Sequence, residues 1–337
     1  MAQTPAPLPF GVPYFAASPW IVHSLVAMSS YRVRLVYVNF ALADIVGLVV
    51  SQDNSCRFCY ATQRMLMRLQ GLSEARIQQL EGDLLKAQFA PREKLALDFA
   101  RLISRASSLA CGSDKDRLQD AGWPEAAVRE LAFLAAAHVY FNRIHTLPAI
   151  PPERGERLSS HWSLRFLAPV VGRILRSRFV RGEVEALPAE MRSGPYSYLV
   201  LALEGLPAAR ALRRLLDEAW ASPVLGQRTK ALIFAVIARG LGCALSEREA
   251  SRLLLEAGLS ADEIGTILAH LGSPALDPTD AVIVPFARET IRYRPAEIQR
   301  RARTLRERMP AGQFLEVLGI AALANAVCRL GVVAPAV

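Results

Sequence analysis

Apolar positions along the chain recur at the spacing of amphipathic helices. Ile77, Leu80 and Leu84 lie at i, i+3 and i+7 after Ser73, a residue type that favours a helix N-cap. The segment Leu42–Val50 is apolar over nearly its whole length, which is typical of a buried helix. No alternating apolar and polar pattern competes with these helices, so the predicted fold class is all-α.

The helical pattern occurs twice in the chain. A shift of 187 positions aligns Cys56–Arg101 with Cys243–Arg288 without a gap. Under this shift, Gly-Leu-Ser at 71–73 recurs at 258–260, and Phe-Ala-Arg at 99–101 recurs at 286–288. A match of this length indicates an internal duplication.

The duplication predicts two tandem helical domains, at residues 1–150 and 194–337. Residues 151–193 are rich in Pro, Gly and Arg, and we interpret them as a basic linker with one amphipathic helix, Trp162–Phe179. Prolines and apolar runs predict where helices begin in each domain. The predicted helix starts, in the first and second domain respectively, are Pro19 and Pro207, Pro91 and Pro278, and about Glu125 and Gln313. A further apolar helix is predicted to run through Leu42–Val50 in the first domain and Leu232–Ile237 in the second.

Composition favours a folded globular protein. Hydrophobic residues make up 52% of the 337 positions and charged residues 21%. The first residues lack a basic segment followed by an apolar run, so no secretory signal is expected. Polar residues interrupt the most apolar stretches before about 20 apolar residues accumulate, so we interpret them as core helices rather than membrane spans. The expected location is the cytoplasm.

The net charge of +9 raises the question of a nucleic-acid partner. Part of the excess lies in one arginine-rich stretch, Arg165–Arg181, and no nucleic-acid module motif accompanies it. A solvated linker face is therefore the favoured interpretation, and no nucleic acid is expected to bind. An anionic membrane surface or an acidic partner remains the alternative.

Five cysteines, an odd number, argue against a framework of structural disulfides. Cys56 and Cys59 form a CxxC motif, and Asn54 and Ser55 before it are good N-cap residues. Both thiols are thus predicted in the first turns of a helix, where the helix dipole and the charge of Arg57 favour a thiolate. Redox use of this pair is the favoured interpretation, with half of a zinc site or inert core cysteines as alternatives.

Asp44 is an acid inside the apolar segment, twelve residues before Cys56. A carboxylate buried there requires a hydrogen-bonding partner, and the CxxC motif is a plausible neighbour. The alternative is a solvated Asp44 in the first turns of its helix.

Together these motifs resemble a known family. An acid, a CxxC motif twelve residues on, the Gly-Leu-Ser and Phe-Ala-Arg helices and the ending Ala135–Ile144 are similar to the alkyl hydroperoxidase D-like (AhpD-like) members of the carboxymuconolactone decarboxylase superfamily, in its peroxidase-related branch. The resemblance covers residues of about 35–147 well and about 195–335 more weakly. It implies two tandem AhpD-like domains, of which the first carries the redox site.

Compared position by position, the family's motif of Glu, CxxC and His is altered in this chain. Asp44 stands at the Glu position and Gln63 at the His position, where a glutamine cannot shuttle a proton. His138 is a possible substitute, although a lone histidine on an apolar helix is more often a core residue. In the second domain the corresponding positions are Ala231, Cys243, Ser246 and Ala250, so that domain is expected to be degenerate and structural.

The resemblance implies a thiol-dependent peroxidase. In the family's scheme Cys59 attacks the peroxide and becomes a sulfenic acid, Cys56 resolves it as a disulfide, and an external dithiol protein or small thiol reduces that disulfide. No cofactor or metal is required, and association into a homo-oligomer is expected. The alternatives are a general dithiol–disulfide oxidoreductase and a non-catalytic interaction protein of the same superfamily; the decarboxylase branch does not use a CxxC motif.

Overall fold

The computed structural model describes residues 12–31, 34–82, 89–106, 112–152, 170, 181–292 and 294–334. Within these ranges the protein is all-α, as predicted, and the only β-type pairing is an isolated bridge between Glu185 and Gly205. The predicted linker helix Trp162–Phe179 lies almost entirely outside the described residues, as do Leu84 and Cys111.

Fifteen α-helices occur in the described part of the chain. They are α1 (Pro19–Tyr31), α2 (Phe40–Asp53), α3 (Arg57–Leu69), α4 (Glu74–Gly82), α5 (Pro91–Ala106), α6 (Gly112–Asp120), α7 (Glu125–Thr146), α8 (Ser197–Ala202), α9 (Pro207–Ala221), α10 (Gln227–Leu241), α11 (Ala244–Glu256), α12 (Ala261–His270), α13 (Asp280–Glu289), α14 (Pro295–Arg308) and α15 (Ala311–Leu330).

Four of the predicted helix starts are confirmed. Helices α1, α5, α7 and α9 begin at the predicted residues. Helix α13 instead begins at Asp280, two residues after Pro278, because the Asp277 side chain accepts hydrogen bonds from the backbone of Thr279 and Asp280 and so holds Pro278 in a turn. Short polar helices such as α6 and α14 were not predicted.

The centre of the fold is built from helices that are apolar on every side. In α2, all ten residues from Leu42 to Ser51 are buried, and α2 packs against α3, α5 and α7. The long helices α7 and α15 pack against each other, and α10 packs against α15. A helix without a polar face is stable only when neighbours surround it, which explains this central position.

Helix α15 also satisfies the length and composition of a membrane-crossing helix. Together with the following turn it spans Ala311–Val333, and 89% of its most apolar part is buried inside the fold. The central helix of a packed bundle has the same properties.

Two buried arginines connect the two halves of the chain. Arg143 of α7 donates a hydrogen bond to the carbonyl of Ile291 at 3.3 Å, and Arg329 of α15 donates to the carbonyl of Ser104 at 3.3 Å. Ser104 and Ile291 are 187 positions apart, so each arginine reaches the corresponding carbonyl in the opposite half. This reciprocity favours a duplicated architecture with pseudo-twofold symmetry, whereas superposition of the complete halves stays a prediction.

Candidate functional site

A tight turn between α2 and α3 positions the CxxC motif. Ser55 adopts a left-handed conformation with φ of 50°, and the Asn54 side chain donates to Val50 O and to Ser104 Oγ, both at 2.8 Å. Asn54 therefore closes α2 instead of capping α3. The predicted N-cap role of Asn54 and Ser55 is wrong, and the N-cap of α3 is Cys56.

The Cys56 sulfur occupies the place of a capping oxygen. Cys56 Sγ accepts a hydrogen bond from the backbone N–H of Cys59 at 3.2 Å, and the residue is 1% exposed. An N–H group at a helix N-terminus stabilises negative charge on its acceptor. The Cys56 sulfur is therefore the hydrogen-bond acceptor at the N-terminus of α3.

Cys59 lies in a different environment, although it is only three residues away. Burial raises the pKa of the Cys59 thiol well above its usual value, and a hydrogen bond to Cys56 raises this pKa further. Because a buried thiol that donates a hydrogen bond resists deprotonation, Cys59 stays protonated at neutral pH. Both cysteines are free in this structure, which corresponds to the reduced state.

His145 of α7 contacts this pair and was not predicted from the sequence. Its Nδ1 lies 3.9 Å from Cys59 Sγ and 2.7 Å from the carbonyl of Phe141. Since a carbonyl can only accept, Nδ1 carries a proton and Nε2 is the basic nitrogen of the neutral ring. The ring stacks on Phe58 with centroids 4.1 Å apart. A sequence signal existed, because His145 follows His138 by seven residues and so shares its helix face.

Gln63 and His138 meet one helical turn beyond Cys59. A methyl group built on Gly47 would lie 2.7 Å from Nε2 of Gln63 and 2.7 Å from Cε1 of His138. The absence of a side chain at Gly47 therefore allows these two buried side chains to approach each other over α2. The structure brings together the two residues that were considered for the family's histidine position.

Asp44 is buried, at 1% exposure, so the solvated alternative is wrong. Its carboxylate accepts a hydrogen bond from Gln70, the residue that ends α3. Gln70 follows Cys59 by eleven residues, which is about 16 Å along a helix axis. Asp44 thus has a polar partner, as expected for a buried acid, but this partner lies at the opposite end of α3 from the thiols.

In the second half, other side chains occupy the region that corresponds to the CxxC site. Cys243 takes the N-cap position of α11, and its thiol donates to Ser246 at 3.2 Å. Phe234, which stands 187 positions after Gly47, is fully buried. A methyl group on Gly331, 186 positions after His145, would lie 2.6 Å from Cys243 Sγ. Ser246 thus stands at the position of Cys59, Phe234 at that of Gly47 and Gly331 at that of His145.

A cleft of about 550 Å³ gives access to the first-half site. Its wall includes Cys56, Arg57, Phe58 and His145, whereas Cys59 is not among the lining residues. Cys56 therefore borders the cleft although it is only 1% exposed, and Cys59, which is 7% exposed, lies outside the lining of this cleft. In the described part of the chain, no cluster of three or more His, Cys, Asp or Glu residues could hold a metal ion.

Comparisons with known proteins add no further constraint on this site. No family model, no curated protein and no solved structure matched the chain.

Proposed function

We propose that this protein is a thiol-dependent peroxidase in which Cys56 and Cys59 alternate between dithiol and disulfide. The observation that carries the proposal is the asymmetry of the pair. Cys56 lines the cleft with its sulfur at a helix N-terminus, whereas Cys59 is outside the lining and donates a hydrogen bond to Cys56. The peroxide as oxidant comes from the resemblance to AhpD-like proteins.

The geometry favours Cys56 as the attacking thiolate, the reverse of the roles that the resemblance implies. The Cys56 thiolate attacks the terminal oxygen of a hydroperoxide, the O–O bond breaks, and the leaving alkoxide takes a proton to become an alcohol. Cys56 is thereby oxidised to a sulfenic acid. His145 lines the same cleft and supplies an imidazole as a candidate proton-transfer group.

Cys59 then resolves the sulfenic acid. Its sulfur attacks Cys56, the S–O bond breaks, the Cys59 proton leaves with the hydroxyl as water, and a Cys56–Cys59 disulfide forms. An external dithiol, either a protein or a small thiol, reduces the disulfide and is itself oxidised. In this scheme the second half has a structural role, since its Cys243 has a serine in place of a second thiol.

A general dithiol–disulfide oxidoreductase is the second candidate. It is favoured by the same position of Cys56, because disulfide exchange also requires an accessible thiolate backed by a second thiol. The two candidates differ only in the oxidant, which is a hydroperoxide in one and a substrate disulfide in the other.

The decisive assay measures consumption of cumene hydroperoxide in the presence of dithiothreitol. We expect turnover by the wild type, loss of turnover in Cys56→Ser and in Cys59→Ser, and the wild-type rate in the matched control Cys243→Ser. Equal rates in all four proteins would contradict the proposal. Reduction of a peptide disulfide without hydroperoxide turnover would establish the second candidate.

A further inference from the structure

A second cleft continues from the one at Cys56. It has a volume of about 470 Å³ and shares Ala149, Ile150, Pro151 and Gln299 with the first cleft. Because the two neighbouring clefts share these four lining residues, we treat them together as one groove, which we call the α7–α14 groove. It runs from Cys56 past the end of α7 to α14 and the start of α15.

The middle of the α7–α14 groove is apolar. Phe15, Leu147 and Phe314 line it, and their exposed fractions are 0%, 1% and 6%. These side chains are held by the core, so they form a fixed wall rather than a surface that rearranges around each ligand. Such a wall favours a hydrocarbon chain because binding removes apolar surface from water.

The far end of the groove carries two arginines. Arg303 and Arg306 lie one turn apart on α14, line the groove and are exposed. Their neighbours Arg294 and Arg301 pair with Glu297 and Glu289, whereas Arg303 and Arg306 form no ion pair with any described residue. Two guanidinium groups at this spacing are suited to bind a carboxylate.

We propose that the α7–α14 groove binds a fatty-acid hydroperoxide, with the carboxylate on Arg303 and Arg306, the chain along the apolar wall and the peroxide at Cys56. This inference rests on the proposed function and names its substrate class. The hydroperoxide is reduced to a hydroxy fatty acid while Cys56 is oxidised to the sulfenic acid. Cys59 converts this into the disulfide with release of water, and the external dithiol restores the pair.

Two measurements test the proposal on the full-length protein. The first is oleate binding to the reduced protein by calorimetry, with methyl oleate as the uncharged comparison. The second is the ratio of kcat/KM for linoleic acid hydroperoxide over that for its methyl ester. The variant is Arg303→Gln/Arg306→Gln, and the matched control is Arg300→Gln/Arg308→Gln, two exposed arginines of the same helix that do not line the groove.

We expect the wild type and the control to prefer the acid over the ester in both measurements. Loss of the two arginines should lower this preference about tenfold, which corresponds to about 1.4 kcal/mol. All four arginines are exposed, so neither double substitution should disturb folding.

Other results separate this inference from the proposed function. In one such result, cumene hydroperoxide oxidises the thiols, but the protein does not prefer the acid over the ester, or both double variants prefer it equally. This result would overturn the fatty-acid site alone. In another, oleate binding depends on Arg303 and Arg306, but no hydroperoxide oxidises the thiols. This result would contradict the proposed peroxidase function and leave the carboxylate site in place.

Discussion

Cys56 and Cys59 show how two identical residues acquire different chemistry from their surroundings. The Cys56 sulfur accepts a hydrogen bond from the backbone N–H of Cys59 at a helix N-terminus, and it borders a cleft. Cys59 is buried behind it, and burial raises the pKa of its thiol. Two sulfurs three residues apart, of which one borders a cleft, suit the proposed scheme, in which the second sulfur attacks the oxidised first one.

The first prediction concerns these roles. After one equivalent of cumene hydroperoxide, Cys59→Ser should accumulate a sulfenic acid at Cys56, since no resolving thiol remains. In Cys56→Ser, the Cys59 thiol should remain largely unoxidised, because it is protonated and lies outside the lining of the cleft. Trapping with dimedone followed by peptide mass spectrometry measures both. A strong adduct at Cys59 in Cys56→Ser would restore the roles that the family resemblance implies.

The second prediction concerns His145. Its imidazole is the proton-exchanging group that contacts Cys59 and lines the cleft, so His145→Gln should lower kcat/KM for hydroperoxide about 10²-fold. The matched control is His23→Gln, an exposed histidine paired with Glu218. The readout is the dependence of kcat/KM on pH, whose shape should change when His145 is replaced. An unchanged profile would mean that another group moves the proton.

At the scale of elements, local sequence determined most helix starts. Ser73 and Ser260 cap α4 and α12 through hydrogen bonds to residues three positions on, as their types predict. Asn54 failed as a predicted cap because its side chain bonds Ser104 of α5, fifty residues away. The contact between Cys59 and His145 is likewise non-local. Contacts between residues far apart in the chain determine the geometry of the site, and a local stretch of sequence does not predict them.

The third prediction concerns Gly47 of α2. Alanine there gains about 1 kcal/mol of helix propensity, but its methyl group overlaps Gln63 and His138, and overpacking costs about 1–3 kcal/mol. Gly47→Ala should therefore lower the free energy of unfolding by about 1 kcal/mol. The matched control is Gly265→Ala in α12, which meets no atom within 4 Å and should raise it by up to about 1 kcal/mol. Urea unfolding measures both, and equal stabilisation would refute the close approach at Gly47.

At the scale of the whole molecule, the two halves share their packing. Helix α1 of the first half packs against α9 of the second, and Trp20 donates to Glu316 of α15 at 2.6 Å. Arg143 and Arg329 add the reciprocal bonds described above. Burial and the charge of Arg143 lower the pKa of Arg329 to about 9, which reflects how completely the centre excludes water. The sequence repeat predicts a duplication, but it does not predict these cross-contacts, because they join non-equivalent positions.

The fourth prediction separates structure from chemistry in the second half. Deletion of 194–337 removes α15 from α7 and exposes a large apolar face, so the remaining fragment should aggregate. The full-length protein with Ser246→Ala should keep the wild-type peroxide rate, because this hydroxyl contacts only second-half groups such as Cys243 and Tyr198. Light scattering and the peroxide assay measure the two effects. A soluble, fully active fragment 1–153 would show that the second half is an independent module.

The most direct test of the central claim is the stoichiometry of thiol loss in the reduced protein. One equivalent of cumene hydroperoxide, without added reductant, should convert Cys56 and Cys59 into a disulfide and leave Cys243 and Cys328 as thiols. Peptide mass spectrometry after alkylation should therefore find one Cys56–Cys59 disulfide formed for each hydroperoxide consumed. Full alkylation of Cys56 and Cys59 after the same treatment would contradict the account.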